Sequence, residues 1–275
     1  MRKFIGAAII LAVLIVYPTE KTISKETTLD FKSFKLNIDC FGVITKISAD
    51  FINIIDLIHI YDTCNYEGKK GKTIIRQPAI QKIKDKNNLL VVVSDDNLYF
   101  EREGIVGNEQ YAEYAQYFQK VKINISGLIT FDYAIMLLQD ITYINSIPIP
   151  QIRIELPRSV FVEKGMKIDS LNGSILKTLT GNYDKENFQQ IISCSSVYFS
   201  LDSGILNINA GENNKFTIID ALSWGPQNQY LDLRFINMSY KSVLKPFLSP
   251  KGSKVQYLFT IQLPVAKKGT IPDKF

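Results

Sequence analysis

The sequence predicts an α+β protein: a mostly antiparallel β-sheet, a curved sheet or half-barrel, with a few packed helices, after an N-terminal apolar segment. Three observations lead there. Many segments alternate apolar and polar residues with β-branched and aromatic enrichment, the period-2 signature of half-buried strands. One stretch, residues 108–121, places aromatic residues at helical spacing. The chain also opens with an uncharged run, FIGAAIILAVLIVY, over residues 4–17. A length of 275 residues and a hydrophobic content of 46% are enough to bury a substantial core.

Arg2 and Lys3 precede the apolar run, and Pro18, Glu20 and Lys21 end it. Fourteen helical residues reach about 21 Å against a hydrocarbon core of about 30 Å, which suits a signal-peptide core. No small-x-small cleavage triplet follows closely, the best being Thr22-Ile23-Ser24. That favours an uncleaved signal-anchor over residues 1–24, a transmembrane helix with its two cations snorkelling to the cytoplasmic side. The expected location is therefore the inner membrane, contacted through residues 4–17, with a periplasmic body; cleavage would release that body into the periplasm. In such an oxidising compartment Cys40 and Cys64 form a candidate disulfide, which would stabilise by about 3 kcal/mol, and Cys194 is left over. The competing assignment is three reduced, buried thiols.

Strands are expected over residues 29–40, 89–94, 97–101, 151–156, 196–201, 204–209, 215–220, 229–237 and 255–263. Asp95, Asp96 and Asn97 turn one hairpin, and Asp202, Ser203 and Gly204 turn another. Asn108 is a suitable N-cap for a helix whose Tyr111, Tyr114, Tyr117, Phe118 and Val121 share one face. Residues 49–61 and 130–140 fit either a helix or a strand, and a short helix is expected near 240–248. Pro148, Pro150 and Pro157 mark a boundary near residue 147. It divides a β-rich first half, 25–146, from a β-rich second half, 147–263, and residues 264–275 form a basic tail.

The formal net charge of +5 is concentrated at the ends: residues 251–275 carry +4 and Arg2 with Lys3 carry +2, so residues 4–250 are about −1. A nucleic-acid binder needs a basic stripe on its folded body, so nucleic acid is excluded as a partner.

Reactive motifs are scarce. The stretch YEGKKGKT ends like a phosphate-binding loop, but Tyr66 stands where the first glycine is required. His59, the single histidine, lies in an Ile-rich run and reads as a core or half-buried residue. Cys194, Ser195 and Ser196 sit in a strand-like run without the strained turn of a nucleophile elbow. One histidine and three scattered cysteines fit no common zinc spacing, so neither metal nor cofactor is expected. The candidate contacts for a ligand or partner are Tyr111, Tyr114, Tyr117, Phe118 and Trp224, weighed against ordinary packing of the same rings.

With so few reactive groups, the sequence points to a non-catalytic envelope protein that binds a partner protein or a lipid-like apolar ligand in the trough of its curved sheet. The rival expectation is a hydrolase of envelope glycans or lipids working through Asp and Glu carboxylates. Its mark would be a cleft holding two acids with perturbed pKa values.

Overall fold

A computed structural model describes residues 19–23, 25–31, 33–61, 65–66, 80–82, 89–94, 96–107, 113–144, 150–181, 191–237 and 247–264. Alternation of buried and exposed side chains builds the strands. In β11 (Ala115–Asn124) residues 115, 117, 119, 121 and 123 point inward, and β12 (Leu128–Leu137) and β22 (Lys254–Gln262) follow the same rhythm.

One antiparallel sheet runs from β1 (Thr19–Ile23) through β9 (Leu89–Ser94), β10 (Asn97–Gly107), β11, β12, β22 and β18 (Gly204–Ala210) to β17 (Ile191–Leu201). The short β8 (Ile80–Lys82) also pairs with β10. The first residues of β17 pair instead with β19 (Asn214–Asp220), where the second sheet begins. It continues through β20 (Tyr230–Asn237), β14 (Gln151–Pro157), β6 (Leu57–Tyr61), β4 (Ile44–Ala49) and β3 (Phe34–Ile38) to β2 (Thr27–Asp30). β5 (Ile52–Ile55) pairs with β4, and β15 (Gly165–Ser170) joins β16 (Gly173–Thr178) to the other edge of β17. A separate small sheet holds β7 (Asn65–Tyr66), β13 (Ile141–Ile144) and β21 (Phe247–Ser249).

The two large sheets face each other as a flattened, barrel-like sandwich. Phe259 of β22 stacks on Phe131 of its own sheet at 4.5 Å and meets Phe235 of the opposite sheet at 4.3 Å. Tyr257 spans the same gap and donates from its hydroxyl to the Pro150 carbonyl at 3.0 Å. Each buried aromatic side chain contributes on the order of 2–3 kcal/mol, so this layer holds the sheets together. The turn between β3 and β4 adds a polar clasp. Asp39 accepts from the amides of Phe41 and Val43, Tyr117 donates to the Phe41 carbonyl, and the Gln119 amide nitrogen donates to the Gly42 carbonyl and the Tyr133 hydroxyl. Burial raises the Asp39 carboxyl above its ordinary pKa.

Several expectations are corrected. The fold is almost entirely antiparallel β rather than α+β, with no packed helices among the described residues. Among the described residues the helical elements are two single turns, α1 (Arg158–Phe161) and a 3-10 turn, Ala221–Trp224. Of the predicted helix at 108–121, residues 115–121 belong to strand β11, and residues 108–112, with the expected N-cap Asn108, lie outside the described residues. Residues 130–137 and most of 49–61 are strand, and 29–40 is split between β2 and β3 by a turn at Phe31–Phe34. The signal-anchor and transmembrane-helix reading is likewise unsupported. Among the described residues no helix is long and apolar enough to cross a membrane. Residues 19–23, assigned to the anchor segment, pair as β1 with β9, while residues 1–18 lie outside the described part, as do the basic tail from 265 and residues 240–246.

Candidate functional site

On β6, β14 and β20 the even apolar set, Ile58, Ile60, Ile152, Ile154, Leu156, and the odd set, Leu231, Leu233, Phe235, face the sandwich core. The period of two then sends His59, Tyr61, Arg153, Glu155, Tyr230, Asp232 and Arg234 to the opposite face of the second sheet. Register does the rest. Arg153 stands opposite His59 on one side and Arg234 on the other, and Glu155 stands opposite Asp232.

Ion pairing and stacking lock this row. Arg153 donates from Nε to Asp232 Oδ1 at 2.9 Å, reaches Glu155 Oε1 through Nη1 at 3.1 Å, and donates from Nη2 to the Tyr230 hydroxyl at 2.9 Å. Its guanidinium carbon lies 4.4 Å from the Tyr61 ring centre and 5.1 Å from that of Tyr230. Arg234 pairs with the other oxygen of Asp232, at 2.8 Å from Nε and 2.7 Å from Nη2. It sits 5.0 Å from both the Tyr61 and the Trp224 rings. The Asp232 side chain is 0% exposed and that of Arg153 only 7%, so this charge is compensated in a setting where an unpaired ion would be costly.

Burial also sets protonation. It raises the Glu155 carboxyl above the ordinary range, against the pull of Arg153. It lowers His59 to about 3, helped by Arg153, so the imidazole is neutral at pH 7. His59 Nε2 lies 3.8 Å from Glu155 Oε1 and is buried without a hydrogen bond.

Trp224 is brought to this face by a brace. Asp220 accepts from the Leu222 amide and caps the 3-10 turn. Arg158 in turn grips Asp220 through Nε and Nη2 and donates to the carbonyls of Thr180 and Gly181. The Trp224 ring meets Tyr230 edge-on at 6.3 Å and is 45% exposed.

Of the contacts expected from sequence that fall among the described residues, Trp224 alone joins this cluster. Tyr114 and Tyr117 are fully buried in the core, and Tyr111 lies outside the described residues. Phe118 points to the outer face of the first sheet, where it lines a shallow groove of about 230 Å³ with Met136 and Lys254. The aromatic stripe is therefore divided between two faces of a strand, because Tyr117 and Phe118 are neighbours and a strand sends neighbours to opposite sides. Cys40 and Cys194 are in no disulfide among the described residues, and Cys64, the other half of the expected bridge, lies outside them. His59 is half-buried, on the polar face of the second sheet. Among the described residues no group of His, Cys, Asp or Glu is placed to hold a metal ion.

No protein-family model and no curated protein matches the chain. Solved structures do. A GH36 α-galactosidase, AgaB, from Geobacillus stearothermophilus aligns at a TM-score of 0.50 with 8% identity, over 90% of this chain and 40% of that one. A galactose mutarotase-like protein from Lactobacillus casei gives 0.48 and 9% over 86% and 99% of the two chains. A GalM/aldose epimerase homologue from C. elegans gives 0.48 and 9% over 90% and 98%. What is shared is the fold, an antiparallel β-sandwich.

Proposed function

We propose that the protein binds a carbohydrate on the outer face of the second sheet, over Arg153, Arg234, Tyr61, Tyr230 and Trp224. The observation that carries this reading is the interleaving of two guanidinium groups with three aromatic rings, beside two carboxylates, on one sheet face. Sugars present C–H faces that pack on rings and vicinal hydroxyls that match paired donors and acceptors. The reading agrees with the sugar named for the α-galactosidase that shares the fold. A lipid trough finds no such support: the facing sides of the sheets are filled by the packed core.

A second reading, processing of the carbohydrate by proton transfer, is favoured by Glu155. Burial raises its carboxyl above the ordinary value, and it stands 3.8 Å from the neutral His59 imidazole, an arrangement suited to a group that exchanges a proton with a bound ligand. Calorimetric titration with a panel of mono- and oligosaccharides tests the first reading. Saturable binding that drops at least about tenfold in Trp224→Ala and Tyr230→Ala supports it, and a wild-type protein indifferent to every sugar defeats it. Polarimetry and reducing-end assays on wild type and Glu155→Gln test the second.

A further inference from the structure

Arg234 uses only part of its fork. Nε and Nη2 both engage Asp232 Oδ2, while Nη1 makes no hydrogen bond among the described residues, and the side chain keeps 18% of its surface exposed. Two rings hold its plane, so the remaining donors form a fixed edge. A guanidinium fixed in this way is suited to paired oxygens of a carboxylate, phosphate or sulfate, which it takes as two parallel hydrogen bonds.

The charges around it are graded across the face. Asp232 gives one oxygen to Arg153 and the other to Arg234, and Glu155 joins Arg153. Asp56 adds its negative charge beside Glu155, toward β6. At the opposite margin, Lys215 lies on this face two residues along β19 from Thr217, the register partner of Arg234, and forms no ion pair among the described residues. Among the described residues, Arg153 on the β6 side is outnumbered by Asp56, Glu155 and Asp232, while the β19 side adds the cation of Lys215.

We infer that the ligand is an acidic carbohydrate whose anionic group sits on the open edge of Arg234, toward Lys215. This rests on the carbohydrate reading above and adds a substrate class to it. The shared chemistry is a planar or tetrahedral oxyanion on a sugar, from a uronate carboxylate or from a phosphate ester.

The test compares matched probes on the full chain by calorimetry: D-glucose with D-glucuronate, D-galactose with D-galacturonate, glucose 6-phosphate, and acetate and inorganic phosphate as anions without a sugar. The expected result is binding of an acidic sugar at least about tenfold tighter than its neutral parent, the gap that one charge-assisted pair supplies. Uronate against sugar phosphate then identifies the source of the oxyanion. In Arg234→Gln the gap closes to less than about threefold, and Arg234→Lys, which keeps the charge on Asp232 but lacks the fork, falls between. Equal binding of acidic and neutral sugars overturns the inference and leaves the carbohydrate reading standing. Acetate or phosphate binding as tightly as the acidic sugars, or no binding by any probe, overturns both. A preference that survives Arg234→Gln overturns the assignment to Arg234.

Discussion

Glu155 and Asp232 face each other across the β14–β20 ladder, and Arg153 binds both, at 3.1 and 2.9 Å. Two carboxylates at such a position would repel and resist burial; one shared guanidinium makes the pair tenable. Arg153→Met therefore leaves a fully buried Asp232 to Arg234 alone. The expected loss is about 3–5 kcal/mol, read by urea denaturation.

His59 and Glu155 bend the pH profile in opposite directions. Folded His59 titrates near 3 against an ordinary 6.5. Between those values the unfolded chain takes up a proton that the folded chain refuses, so stability falls as the pH drops through this window. The limit is about tenfold in the folding constant per pH unit, and His59→Gln removes it. Glu155, raised above 4.5, does the reverse. Its contribution is full below the unfolded value and fades as pH rises through the folded one, and Glu155→Gln flattens that limb. Denaturation curves at about pH 4, 5.5 and 7 separate the two.

Trp224 is the only tryptophan in the chain and reports on its own brace. Arg158→Leu breaks a pair whose side chains are 3% and 1% exposed. The expectation is a loss of about 3–5 kcal/mol together with red-shifted emission and faster acrylamide quenching.

Gly42 has φ +81°, and a Cβ there would stand 2.7 Å from Gln119 Oε1, inside the clasp between the sheets. Gly173 has φ +107° with open space around it. Gly173→Ala carries only backbone strain, about 1 kcal/mol, whereas Gly42→Ala adds crowding and costs about 2–3 kcal/mol. The difference in urea midpoints measures the clasp.

Strand alternation made much of the sandwich legible: residues 89–94, 151–156 and 204–209 fall within β9, β14 and β18. It failed at β11 for a physical reason. Gln119 occupies an inward position, fully buried and hydrogen-bonded to Gly42 and Tyr133, so a polar residue interrupts the apolar rhythm. The surrounding tyrosines then matched a helical spacing that has no structural counterpart. The candidate face was less accessible still. Arg153 and Asp232 are 79 positions apart and meet only through the register of β14 on β20. Trp224 stands in a turn-like stretch, SWGPQNQ, but nothing near it in sequence announces Arg234 as its neighbour.

Sugar bound against the Arg153–Arg234 face lies beside the single indole N–H of Trp224. In a ¹⁵N-correlated spectrum this group gives one cross-peak. The peak is expected to move saturably on titration with a bound carbohydrate, with the same affinity that calorimetry reports, and Tyr230→Ala is expected to abolish the shift. A carbohydrate that binds while the indole peak stays still would place the site elsewhere and contradict the account.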